Sequence, residues 1–190
     1  MEYVGVFGIM STLKVGTIQD HANSNTAIEI ASDGTFKASK VPAFRVHTSS
    51  NVSASNASWT NIPLNSTSGT LAGFDTHSMN GSNKINITAA TAGIYFFTGH
   101  VRINNNVPYR LLVRILRVAD QVYVLQSEVG SGSVNLSGRY QFVQCNGLVQ
   151  CSAGDSFQMD FYQTNEAGST LGAVGVNSHE TFMSGFRISA

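Results

Sequence analysis

Charge is scarce in this chain. Of its 190 residues only 12% are charged, and 11 basic residues cancel 11 acidic ones. No basic field exists to hold nucleic acid or an anionic membrane, so neither is expected as a partner. Long apolar runs are missing too, since nothing approaches the 18 or so continuous apolar residues of a membrane-spanning helix. The apolar opening from Met1 to Met10 lacks a basic leader, is interrupted by Gly5 and Gly8, and meets no convincing cleavage site. A secretory signal is therefore not expected, and Met10-Ser11-Thr12 offers an alternative start.

Cysteine is nearly absent. Cys145 and Cys151 are six residues apart and share a strand parity with Val149. On a single strand that spacing exceeds the roughly 4.4 to 6.8 Å Cα separation of a disulfide. Two buried free thiols are expected, although a tight turn at Asn146-Gly147 would bring them together.

Catalytic and metal motifs are missing as well. His21, His47, His77, His100 and His179 are scattered, with no His-x-x-x-His spacing and no nearby Cys partner. His100 follows an aromatic stretch, and packing explains it. No nucleophile elbow or phosphate loop occurs, and Gly130-Ser131-Gly132-Ser133 reads as a flexible loop. Asp155 suits a Gly-Asp turn, Asp160 falls at an outward strand parity, and no acidic cluster supplies the oxygen ligands of calcium. The chain is not expected to be an enzyme or to carry a metal or cofactor. Six Asn-x-Ser/Thr triplets begin at Asn51, Asn56, Asn65, Asn80, Asn86 and Asn135, and chance produces them in a chain so rich in Asn and Ser.

What the chain does have is Gly93-Ile94-Tyr95-Phe96-Phe97-Thr98-Gly99-His100, apolar at both side-chain parities. As a strand it points Ile94 and Phe96 one way and Tyr95 and Phe97 the other, so both faces need covering. A second sheet covers one face in a small antiparallel domain, and another copy of the chain is expected to cover the other.

Elsewhere, short alternating runs are punctuated by Gly, Asn, Ser and Asp, the pattern of an all-β sandwich or barrel. Ala43 to Val46, Phe157 to Phe161 and Phe182 to Ile188 read as strands. Tyr109 to Ala119 fits an amphipathic helix through Leu111, Leu112, Ile115 and Leu116, but its neighbours favour a strand that turns at Ala119-Asp120 and returns through Val122 to Leu125. Residues 1–40 hold short pieces, Leu13 to Ile18 and Ala27 to Ile30, closed by the turn Ser32-Asp33-Gly34-Thr35. They carry too few apolar residues for a core of their own. The expected division is a segment at 1–40 and a domain at 41–190.

From Ala43 onward the chain resembles the globular head of the C1q and tumour-necrosis-factor superfamily. The resemblance is carried in order by Pro42-Ala43-Phe44-Arg45-Val46, Trp59-Thr60-Asn61-Ile62-Pro63, Phe74-Asp75-Thr76, Gly93-Ile94-Tyr95-Phe96-Phe97, the stretch Gly147 to Asp155, and Ser184-Gly185-Phe186-Arg187-Ile188. Two positions depart from the pattern: Ile85 stands in place of a usual Phe, and Gly99 in place of an aromatic. The resemblance implies a jelly-roll sandwich that assembles as a homotrimer. Under it Tyr95, Phe97, Tyr162, Phe182 and Phe186 are trimer or core aromatics, undivided between the two roles; if all five are core, the chain is a monomer.

No Gly-x-y repeat precedes Pro42. Ser11 to Phe36 instead resembles the attachment segments of bacteriophage fibre and virion proteins. That resemblance implies docking to other virion proteins through residues 1–40, with Leu13, Val15, Ile18, Ile28 and Ile30 as the docking residues. The expected function is a virion structural protein on the phage particle surface, a trimeric fibre or knob that helps attach to a host surface glycan or protein. Candidate receptor loops contain Asn104, Asn105, Asn106, Ser133, Asn135, Glu166 and Ser169. The alternatives are a capsid or tail decoration protein and a secreted C1q-like lectin or ligand.

Overall fold

The structure is a computed structural model describing residues 17–19, 26–30, 32–37, 41–68, 73–103, 110–130, 141–164, 171–173 and 180–190. The chain divides into two compact units between Val41 and Pro42. The first holds a three-stranded antiparallel sheet of β1 (Thr17–Gln19), β2 (Thr26–Ile30) and β3 (Phe36–Lys37). Asp33 turns the chain between β2 and β3 by accepting hydrogen bonds from the Thr35 amide and hydroxyl at 3.0 and 2.7 Å.

The second unit is all-β among its described residues and consists of two facing antiparallel sheets. Its strands are β4 (Ala43–His47), β5 (Val52–Ala54), β6 (Ser58–Ile62), β7 (Phe74–Asp75), β8 (Asn80–Gly81), β9 (Lys84–Asn86), β10 (Gly93–Ile103), β11 (Arg110–Arg117), β12 (Val122–Gly130), β13 (Gln141–Cys151), β14 (Ser156–Thr164), β15 (Leu171–Ala173) and β16 (Phe182–Ser189). In the seven-stranded sheet β10 pairs with β13 on one side and with β16, then β4 and β7, on the other; β15 and β5 continue beside its C-terminal end. The six-stranded sheet runs β12-β11-β14-β9-β8, with β6 also alongside β14. The stretch that also fits a helical wheel is the strand β11, because it is paired on both sides, by β12 and β14.

The alternation of β10 sets the layers. Every odd-numbered residue from Gly93 to Ile103 is buried, and every even one is half-exposed. Phe97 sits at the centre, edge-to-face with Phe44 of β4 and Phe157 of β14 at centroid distances of 5.7 and 5.3 Å and tilted against Tyr95 at 5.4 Å. Fully burying each such ring contributes roughly 1.5 to 3 kcal/mol. The Tyr95 hydroxyl donates to the Thr91 carbonyl at 2.6 Å, and burial pushes this phenol up to about 12.

Both departures from the head pattern are accommodated by packing. Ile85 is fully buried. A Cβ on Gly99 would lie 3.1 Å from the Met159 sulfur and 3.2 Å from the Cys145 sulfur, so two sulfurs occupy the space beside a residue without a side chain. Gly185 meets a tighter limit, since a Cβ there would come within 2.5 Å of the Phe97 ring and 2.9 Å of Phe44. The β8–β9 hairpin turns through Ser82 and Asn83, both at positive φ (55° and 62°), as a two-residue turn matched to the sheet twist requires.

Gly185→Ala therefore forces the Phe97 and Phe44 rings apart. The expected loss of stability is about 1 to 3 kcal/mol, read as a lower urea midpoint at unchanged slope.

Candidate oligomerisation face

The even-numbered residues of β10 face out of the seven-stranded sheet, and register assembles their neighbours into rows. Phe96 lies opposite Leu148 of β13 and Phe186 of β16. Thr98 lies opposite Asn146 and Ser184, and His100 opposite Gln144 and Phe182. The Phe96 and Phe186 rings pack at 5.9 Å, yet Phe186 remains 50% exposed and Leu148 64% exposed. Ile188, Phe142 and, on edge strand β7, Phe74 are exposed too. A second set of exposed apolar residues, Val122, Tyr123 and Val129, lies on edge strand β12 of the other sheet.

The structure thereby separates the five aromatics singled out in the sequence. Tyr95 and Phe97 are core and fully buried. Phe186 is exposed and Phe182 half-buried, both on the outer face of the larger sheet. Tyr162 belongs to neither place. Its parity on β14 is opposite to that of Phe157 and Phe161, so it faces out of the smaller sheet and packs on Trp59 at 5.4 Å.

Ile18, Ile28 and Ile30 fall on β1 and β2, where Ile18 pairs with Ile28 in register and Ile30 is exposed. Leu13 and Val15 lie outside the described residues, as do Asn104, Asn105, Asn106, Ser133, Asn135, Glu166 and Ser169. Phe142 and Leu148 of β13 were not singled out, although their parity, opposite to Cys145, Val149 and Cys151, marks them as outward-facing.

Two further sequence readings resolve locally. Asp155 does shape its turn, accepting a hydrogen bond from the Ser152 amide at 2.8 Å beside Gly154 at φ 93°. Asp160 points outward yet is buried. Its carboxylate accepts from Asn61 at 3.1 Å, from Gln158 at 2.9 Å and from Arg114 at 3.1 and 3.0 Å, while the Arg114 guanidinium lies 4.0 Å over the Trp59 ring. This network fills the centre of the smaller sheet's outer face and spends its polar groups on itself.

The cysteines are free and buried on one continuous strand, with no turn at Asn146-Gly147. Burial pushes the Cys145 thiol up to about 11 and the Cys151 thiol to about 12. Among the described residues no group of His, Cys, Asp and Glu could hold a metal ion, and no helix is long and apolar enough to cross a membrane.

Comparison with solved structures decides the fold. The Eiger TNF of S. frugiperda matches with a TM-score of 0.54 at 12% identity, covering 78% of this chain and 92% of that one. Murine APRIL, in a crystal structure at pH 5.0, matches with a TM-score of 0.54 at 10% identity, covering 78% and 99%. The chain's head has the TNF-like jelly-roll fold. The globular domain of zebrafish complement 1qA also aligns, at 16% identity and a TM-score of 0.48, over 77% and 97% of the two chains. No family model and no curated protein matches the chain.

The native TNF-like head should resist thiol reagents at pH 8, because protonated buried thiols are poor nucleophiles. Denaturation should release two reactive thiols per chain, and rapid native labelling would contradict the burial. Asp160→Ala leaves Arg114 without its carboxylate and should cost about 3 to 5 kcal/mol in equilibrium unfolding.

Proposed function

We propose that the protein is a homotrimeric virion component whose TNF-like heads close into a ring through the outer face of the larger sheet. The apolar band of Phe96, Leu148, Phe186 and Ile188 carries this reading, because a surface so apolar in a charge-poor protein marks an interface. The apolar edge of β12 is a different patch from this face. A contact that joins two unlike patches is heterologous, and such contacts generate rings when the rotation closes. The C1q and tumour-necrosis-factor family that the head resembles assembles in this way as tight trimers.

Residues 1–40 attach the ring to the particle. Their likeness to phage attachment segments supports this, and so does their size, since a three-stranded sheet of such short strands needs packing from elsewhere. Three copies of each head loop then face a host surface together, and avidity turns weak contacts with a glycan or protein into attachment. The work of the protein is assembly and binding rather than catalysis.

Sedimentation of the full chain should show a trimer. Phe186→Glu and Leu148→Glu, each at an exposed position, should yield folded monomers, whereas trimers in both variants would exclude this face. Purified trimer should compete with phage for adsorption, and deletion of residues 1–40 should abolish incorporation into particles. Incorporation of the full chain without any binding to host cells would make the protein a decoration component. An N-glycan on exposed Asn51 of natively produced protein would instead make it a secreted ligand.

A further inference from the structure

Four side chains stack in a column across four strands of the proposed interface. Phe142 of β13 lies 5.7 Å from the His100 ring of β10 at 27°; Phe182 of β16 lies 5.2 Å from the other side of His100 at 15°. The Arg45 guanidinium of β4 covers Phe182 at 4.2 Å. Nδ1 of His100 is 2.7 Å from the Glu180 carbonyl oxygen. A carbonyl oxygen only accepts, so Nδ1 carries the proton and Nε2 of the neutral ring is left as an acceptor. Phe142 is 63% exposed, so the column opens onto the face that a second copy covers.

We infer that His100 is an acid-operated release for the proposed trimer: as a neutral flat rung it packs beneath the neighbouring copy, and once protonated it places a charge inside that contact. The inference rests on the trimer reading above. The groups around His100 favour this behaviour. On its own strand Arg102 pairs with the Glu180 carboxylate, which leaves that anion already matched. From β4 come Arg45 and the buried His47, whose own ionisation is disfavoured by burial and by Arg45. From β13 come Gln144 and Phe142, neither charged. Among the described residues, the charges of Arg45 and Arg102 oppose a proton on His100.

Burial, foremost, and the charges of Arg45 and Arg102 hold His100 below the ordinary imidazole range, against the opposing pull of the Glu180 carbonyl. A second copy over the column removes more water and deepens the depression. The sign follows from linkage. Because protonation is harder in the assembled state, the contact has full strength above the separated head's pKa, and it weakens as pH falls from that value towards the assembled one. Three His100 residues titrate per ring, so the loss enters the trimer equilibrium as a third power.

Sedimentation of the full chain at pH 7.5 and pH 5.0, beside His100→Gln, tests the release. The wild-type trimer should dissociate at a concentration at least about tenfold higher at pH 5.0, while His100→Gln, neutral throughout, should shift by less than about threefold. A wild-type trimer that ignores pH, or a variant that responds as strongly, overturns the release and leaves the trimer standing. A monomer at pH 7.5 overturns both. NMR titration of the His100 ring in wild-type trimer and in the Phe186→Glu monomer gives a measure independent of whether His100→Gln folds: a lower midpoint is expected in the trimer, and equal midpoints refute the coupling.

Discussion

Everything in the head is arranged around one constraint, the two-residue repeat of β10. Its strand neighbours satisfy its backbone groups, and its side chains face two ways: the inward set is apolar, while the outward set begins with apolar Ile94 and Phe96 and continues through Thr98, His100 and Arg102. The inward set, Tyr95, Phe97, Val101 and Ile103, is fully buried against β11 and β14. The outward set has no second layer within the described chain. The two faces of the strand are thereby tied together: a one-residue slip in register would exchange them completely.

How much of this could be read from residues depended on how local the determining physics was. The strand character of β10, β14 and β16 was legible, because alternation and bounding turns are properties of adjacent residues. The division of aromatics was not, because Tyr95 and Phe97 share a parity that says nothing about which side the second sheet occupies. Phe182 and Phe186 needed the register with β10 before they could be placed. Tyr162 needed the pairing of β14 with β6, which brings Trp59 beside it across more than a hundred residues of sequence.

Asp160 shows the same limit from the polar side. Its parity correctly marks an outward direction, and direction is all that parity reports. Burial came from Arg114, Asn61 and Gln158, supplied by neighbouring strands and by its own. The result is a hydrogen-bonded polar cluster on the outer face of the smaller sheet, against an apolar band of Phe96, Leu148, Phe186 and Ile188 on that of the larger one. The two sides of the sandwich differ in kind, which gives the head a direction.

The space beside Gly99 has a meaning for durability. Where an aromatic ring would have supplied inert carbon, the sulfurs of Met159 and Cys145 both lie beside Gly99 in the core. Thioether and thiol are the two side-chain groups most readily oxidised, and a sulfoxide at Met159 would insert a polar group among Phe97, Phe157 and Ile115. Both residues are buried, which shields them while the sandwich is shut. Damage at these sulfurs is thereby coupled to local opening of the sandwich, so resistance to oxidation becomes a matter of how well the two sheets stay closed.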